Sequence, residues 1–274
     1  MGLPKPMNKI IIFQLILFYS VSLVSAQNIL GPKMAAMGNN GAAITDVWSI
    51  MANTAGITAI QSPTLALNYA NYFFDKQLSK QAVALIVPIQ NNYLGLGFQR
   101  YGITEYHEIK AGFAYAKKFG NSLSIGIKAN YHQLKISNYG QTASFSVDVG
   151  AMYHLNQQLI LGLYFNNPAL QKYNNTTIEI DIPTTFHIGA TYLATNKVVL
   201  ASTISKSIHT AIDVALGIDY QIMPLISLRG GLSLKPFKHY AGIGFVFKKL
   251  TVDTAIESDP YLGYSPQISL AYAF

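Results

Sequence analysis

From residue 63 to the C-terminus, apolar residues alternate with small or polar ones, and turn residues interrupt the alternation roughly every ten positions. Leu65, Leu67 and Tyr69 alternate with Ala66, Asn68 and Ala70. Leu123, Ile125, Ile127, Ala129 and Tyr131 alternate with Ser124, Gly126, Lys128, Asn130 and His132. The final run sets Ile268, Leu270, Tyr272 and Phe274 against Gln267, Ser269, Ala271 and Ala273. A period of two puts successive side chains on opposite faces of a strand, so each run is a strand with one apolar face. About 14 runs of roughly 9–11 residues fit between 63 and 274. Their apolar faces can cover the core of a sandwich or face the lipid around a closed barrel.

Composition and loop lengths favour the barrel. Only 11% of the 274 residues are charged, against about a quarter in a soluble domain, while 18 Tyr, 14 Phe and 21 Gly are present. That aromatic content excludes a disordered chain. The absence of Cys excludes a disulfide scaffold. The connections around 90–92, 118–121, 155–157, 194–196, 221–223 and 248 are short. Those at 71–79, 102–105, 166–182 and 258–263 are longer. A transmembrane barrel has this asymmetry, with short periplasmic turns and longer external loops. The expected fold is therefore all-β: a transmembrane antiparallel up-and-down barrel of about 14 strands over residues 63–274. The inward set is rich in Gly, Ala and Ser, which implies a lumen that is narrow or filled by another segment. Lys128 and Asp148 are inward on neighbouring strands and equidistant from Asn138. A hairpin centred there sets the two charges face to face.

Two segments precede the barrel. Residues 1–26 read as a signal peptide, with Lys9 before an apolar stretch and Val24-Ser25-Ala26 as a small-residue cleavage site. The apolar run is shorter than the ~20 residues of a spanning helix. Residues 27–62 break the alternation and are dominated by Ala, Gly, Asn and Met, with the only Trp of the chain, Trp48. Asp46 stands near the start of a possible short helix, where a carboxylate suits the helix dipole. Residues 53–56 look like a turn. This stretch can plug the barrel as a hatch or lie beneath its mouth.

The order of short motifs at both ends resembles a known family. Ala35-Ala36-Met37-Gly38-Asn39, Gly41-Ala42-Ala43-Ile44, Asp46 and Asn53-Thr54-Ala55-Gly56 resemble the N-terminal signature of PorV/PorQ-type outer-membrane proteins, relatives of the FadL-type fatty-acid channels. Leu228-Arg229-Gly230-Gly231, Gly242-Ile243-Gly244-Phe245, Asp253 and the last strand are similar to that family's C-terminal pattern. Lys33 stands where the family has Arg, and Thr54 replaces the Pro of its Asn-Pro-Ala-Gly motif. The external loops are short. The resemblance implies a 14-stranded barrel in which Ala36, Met37, Gly38, Asp46, Trp48, Asn53, Ala55 and Gly56 belong to the hatch. It also implies that Phe274 is part of the barrel-insertion signal.

No catalytic constellation is legible. The chain has no HExxH, no GxSxG and no Walker loop, and its six His are dispersed. A non-enzymatic outer-membrane protein without cofactor or metal is the expectation. The resemblance implies an accessory of type IX secretion that binds the secretion pore or its cargo, through apolar residues of the 166–182 and 258–263 loops. The alternative is a FadL-like channel for a hydrophobic small molecule, gated by the N-terminal segment, with Met34, Met37, Trp48 and Met51 lining an apolar pocket. Outer-membrane lipid and lipopolysaccharide are expected neighbours, the latter through Lys76, Lys80 and Lys172. The net charge of +7 has no dense Lys/Arg stripe to engage nucleic acid.

Overall fold

The computed structural model describes residues 30–75, 77–173, 180–208 and 210–274. The signal-peptide reading of residues 1–26 and the lipopolysaccharide contact expected of Lys76 lie outside them. Fourteen strands are present: β1 (Thr64–Asn71), β2 (Ser79–Ile89), β3 (Asn92–Gly102), β4 (Tyr106–Phe119), β5 (Leu123–Ile136), β6 (Gly140–His154), β7 (Leu159–Asn166), β8 (Thr185–Thr195), β9 (Val198–Ser207), β10 (Asp213–Met223), β11 (Ile226–Leu234), β12 (Phe237–Phe247), β13 (Leu250–Asp259) and β14 (Gly263–Ala273). Each pairs antiparallel with its sequence neighbours, and β1 pairs with β14 to close the barrel. An even number of strands is what lets first and last meet antiparallel. The seam runs from Thr64 opposite Ala273 to Ala70 opposite Gln267. The Phe274 amide adds a bond to the Pro63 carbonyl at 2.8 Å.

The alternation becomes an outside and an inside. In β1, Leu65, Leu67 and Tyr69 are exposed, while Ala66, Asn68 and Ala70 are buried. The same division repeats around the wall, giving an apolar outer band with aromatic members such as Phe113, Tyr192, Tyr220, Tyr272 and Phe274. No helix among the described residues is long and apolar enough to cross a membrane; strands do the crossing. Tight turns join the strands at the end that carries both barrel termini. Gln90 and Lys248 take the left-handed conformation there (φ 56° and 54°), matching the twist of the hairpins they close.

Residues 30–62 run inside the barrel. They form α1 (Pro32–Ala36), with Pro in its first turn, and two 3-10 helices, Val47–Met51 and Thr54–Ala59. Asp46 begins the first of these with a reciprocal cap. Its carboxylate accepts from the Trp48 amide at 3.0 Å, and its own amide donates to Ser49 Oγ at 3.0 Å. Residues 53–56 differ from the expected free turn. Asn53 caps the second 3-10 helix by accepting from the Ala55 amide at 3.2 Å, and Thr54, Ala55 and Gly56 are already within that helix. Asn is a strong N-cap, and its cap extends the turn into a helix.

The small inward residues of the wall are the seat of this segment. Gly126 pairs with Gly150, Gly162 with Gly189, and Gly217 with Gly231 across neighbouring strands. A Cβ at Gly126 would stand 2.7 Å from the backbone of Thr54 and Ala55. One at Gly162 would strike the Ala42 carbonyl, and one at Gly231 would strike Met37 and Gly38. The lumen is thus filled by chain backbone lying directly on strand backbone, which only glycine permits.

Candidate functional site

The luminal segment packs on the wall mainly through apolar contacts. Trp48, Ile50, Met51 and Ile57 pack against Ala84, Ile86 and Ala114 of the wall, and Met34 and Met37 cluster with Ala42, Ile44 and Tyr164. Met34 and Met37 are fully buried, and Trp48 and Met51 nearly so. These four residues therefore occupy space and do not line an open pocket beside the segment. Ala36 packs on Ala255, and a Cβ on Gly242 would meet its methyl at 2.5 Å. Gly38 lies against the Leu216 and Leu232 backbone, and Gly56 against Ser49 and Met152. Ala55 is fully buried.

Polar bonds also fasten the segment to the wall. The Asn53 amide nitrogen donates to three carbonyls: Ala42 at 2.7 Å, Ala151 of β6 at 2.9 Å and Leu163 of β7 at 3.2 Å. Lys128 of β5 reaches the Ile50 carbonyl at 2.8 Å. The same ammonium lies 3.1 Å from Asp148, which stands directly opposite it on β6. Both side chains are almost completely buried. Asn130 adds a bond to Asp148 at 2.8 Å, and Lys110 stands 3.8 Å away. A buried carboxylate between two ammonium groups is the arrangement that low-dielectric burial demands.

Two further ionic groups cross the opposite wall. Arg229 bonds Asp219 at 3.1 Å and Asp253 at 2.5 Å. Lys238 bonds Glu257 at 2.6 Å and Asp259 at 3.0 Å. Asn39 of the luminal segment bonds Tyr240 at 3.4 Å and Glu257 at 3.5 Å beside them. The Arg229 triad has the signal that identified Lys128 and Asp148: Asp219 and Arg229 are inward and equidistant from Pro224.

Part of the wall's own connection enters the far end of the lumen. Residues 167–173 and 180–184, between β7 and β8, fold inward, so that Tyr173 and Ile182 are buried with Leu134. Of the apolar residues expected to make the 166–182 loop a docking surface, Tyr173 is turned inward against Leu134, Tyr106 and Ile136 of the wall, Ile180 is exposed, as is Leu170, and Ile178 lies outside the described residues. Lys80 is likewise not at the surface. It is buried and faces the lumen, its ammonium 5.9 and 5.5 Å from the ring centres of Tyr72 and Tyr101. Alternation within β2 turns it inward, away from lipopolysaccharide. Lys172 is half exposed and pairs with Asp181 at 3.0 Å. The 258–263 loop does carry exposed apolar residues: Tyr261 is 87% exposed, with Leu262 and Tyr264 beside it. Phe274 is exposed on the outer face, edge-on to Tyr272 at 5.1 Å.

The His residues are dispersed as well. His132 bonds Ser146 at 2.8 Å, and His187 stacks on Tyr164 at 4.1 Å. Among the described residues no three His, Asp or Glu are grouped to hold a metal. An apolar groove of about 490 Å³ indents the outer wall between Tyr69, Ile243, Ile256, Pro266 and Ile268.

A closed 14-stranded barrel with its own N-terminal segment in the lumen is the architecture these observations define. No family model matches the chain, and no curated protein matches it. Solved structures share its fold. The Pseudomonas putida toluene transporter TodX superposes with a TM-score of 0.69 at 10% identity, over 89% of this chain and 98% of that one. A Pseudomonas aeruginosa FadL homologue gives 0.67 at 13% identity, over 92% and 99%. The Ralstonia pickettii toluene transporter TbuX gives 0.66 at 11% identity, over 89% and 98%. These neighbours are hydrocarbon and FadL-type channels, and they lend no support to the resemblance to type IX secretion proteins.

Proposed function

We propose that this chain is a non-enzymatic outer-membrane channel of the FadL type, which admits small hydrophobic molecules and is gated by residues 30–62. The observation that carries the reading is the luminal segment itself. It is apolar, held by a small number of polar bonds, and seated on a glycine-lined wall in a barrel shaped like the toluene channels. In this reading the tight-turn end is periplasmic, the segment is the hatch, and the state described is the closed one. Opening requires the segment to leave its glycine seat, because Met34, Met37, Trp48 and Met51 occupy the space a solute would take. Phe274, with its exposed ring at the end of the closing strand, suits a signal for barrel insertion.

The test is uptake of labelled toluene and of a long-chain fatty acid by cells whose own hydrophobic channels have been deleted. Expression of this chain is expected to raise uptake of at least one solute above the empty-vector rate. Locking the segment to the wall with an engineered Thr58→Cys/Ser124→Cys disulfide, at a pair whose hydroxyls lie 2.8 Å apart, should return it to that rate. Uptake equal to the empty vector for both solutes would sink the channel reading.

A second reading, an accessory that binds a secretion pore or its cargo, draws on one observation: the exposed Tyr261, Leu262 and Tyr264 on the far end. Copurification of secretion-pore components, abolished by changing these three residues to Ser, would establish it.

A further inference from the structure

Asp148 touches both closures of the barrel. Its Oδ1 accepts from the Asn167 backbone amide at 3.1 Å. Asn167 is the first residue of the β7–β8 connection, and its side chain organises both limbs of it. The Asn167 amide nitrogen donates to the carbonyls of Gln171 and Ile182, each at 3.0 Å, and to Thr184 Oγ1 at 3.1 Å. Its amide oxygen accepts from the Gln171 N–H at 2.9 Å. The other carboxylate oxygen, Oδ2, holds Lys128 at 3.1 Å. Lys128 in turn holds the Ile50 carbonyl of the luminal segment at 2.8 Å. A continuous polar chain therefore runs from the far-end connection through one carboxylate and one ammonium to the segment that fills the lumen. Asn167, Asp148 and Lys128 are each 2% exposed or less, so water does not readily stand in for a lost partner.

We propose that Asp148 is a positioning residue that couples the far-end connection to the luminal segment, so that loosening the one loosens the other. The physical reason is that a single rigid carboxylate cannot optimise both oxygens independently. If the connection swings outward and withdraws the Asn167 amide, Oδ1 is left buried without its donor. The carboxylate then rotates toward its remaining donors, Lys128, Lys110 and Asn130, and Lys128 is drawn off the Ile50 carbonyl. The coupling is reciprocal, as any binding linkage must be. A solute or partner that engages the outside of the connection would thus favour release of the segment without touching it. The inference rests on the gating role proposed for residues 30–62. Its test uses no solute, so a failed uptake assay and a failed coupling assay are distinguishable.

The chain contains no Cys, so a single engineered thiol reports cleanly. In the reconstituted full-length barrel, Met51→Cys reports exposure of the segment through its rate of reaction with a water-soluble maleimide. Tyr173→Ala with Ile182→Ala loosens the connection at its packing on Leu134, far from the reporter. The expected result is a rise of about tenfold in the labelling rate, within the usual span of allosteric coupling. In an Asp148→Asn background the starting rate is already raised, and the same loop substitutions add less than twofold. A Ser265→Cys reporter on β14, bonded to the Phe73 amide and not to the luminal segment, stays unchanged throughout, which a general loosening of the barrel would not allow. Lys128→Met breaks the same chain one link further on and serves should Asp148→Asn fail to assemble. The proposal is overturned if the loop substitutions leave the Met51→Cys rate unchanged. It is equally overturned if they raise it by the same factor with and without the chain intact.

Discussion

The luminal segment and the wall around it are held by different physics. The segment is seated by shape: the backbone of residues 36–56 lies on paired wall glycines, and methionines, Ile50 and Trp48 fill the remainder. The wall is tied by charge: Lys128 with Asp148, Arg229 with Asp219 and Asp253, and Lys238 with Glu257 and Asp259 join its strands. Shape closure tolerates loss of a contact but not added volume. Charge closure tolerates added volume but not loss of a partner. The difference shows how a barrel can keep a removable plug in a permanent frame, because the strands carry the ion pairs and the segment carries mostly van der Waals contact.

The strongest way to break this comparison is to remove the shape-held segment. Deleting residues 30–60 should leave a folded barrel that shows a steady ohmic conductance in planar bilayers, absent from the intact chain. Electrical silence would mean that the wall's own side chains and the inward-folded β7–β8 connection close the pore unaided. Next in size, Arg229→Met strands the buried Asp253 and the partly buried Asp219 carboxylates and should cost about 3–5 kcal/mol, read as a lowered urea midpoint. Gly162→Val adds volume where the Ala42 carbonyl lies and should cost about 1–3 kcal/mol, read as faster protease cleavage within residues 36–56 while the barrel resists. Asn53→Ala removes the cap and its three carbonyl bonds, and about 1–2 kcal/mol of segment docking should go with it in the same protease assay.

The smallest effect expected is that of pH. Burial raises the Asp46 carboxyl above its ordinary 3.8, against the opposing pull of Lys33. A carboxyl whose folded-state value is raised binds its proton more tightly when the segment is docked. Docking should therefore strengthen as pH falls through the raised value, with the gain complete below about 4. Protease cleavage of the segment, normalised to a free-peptide control, should slow on acidification. Asp46→Asn, which keeps the cap acceptor, should flatten that part of the slope.

The wall was legible because a membrane strand repeats its information every second residue. Leu65 to Ala70 and Gln267 to Phe274 each declare a lipid face without reference to the rest of the chain. The Lys128–Asp148 opposition was legible for the same reason, since a tight hairpin converts equidistance from Asn138 into contact. The same equidistance from Pro224 sets Asp219 opposite Arg229. The luminal segment was harder, because 3-10 turns stabilised by an Asn or Asp cap leave no periodicity. Its seat was nonetheless written in the wall: inward glycines at 126 and 150, 162 and 189, and 217 and 231 fall opposite each other once register is assigned. The inward fold of Tyr173 and Ile182 had no signal of its own, since an apolar loop residue reads alike whether it will meet a partner or its own barrel.

The seam between β1 and β14 has a consequence for time as well as for shape. Thr64 and Ala273 are the two ends of the wall in sequence, yet they are partners in space. Every other strand can pair as soon as its neighbour exists, but this ladder waits for β14. Until then the sheet has two open edges. Once it forms there is no free edge left from which the wall can fray. A barrel closed in this way should assemble late and all at once, and then unfold only by breaking a whole ladder, so its lifetime in the membrane is set by a barrier more than by a balance.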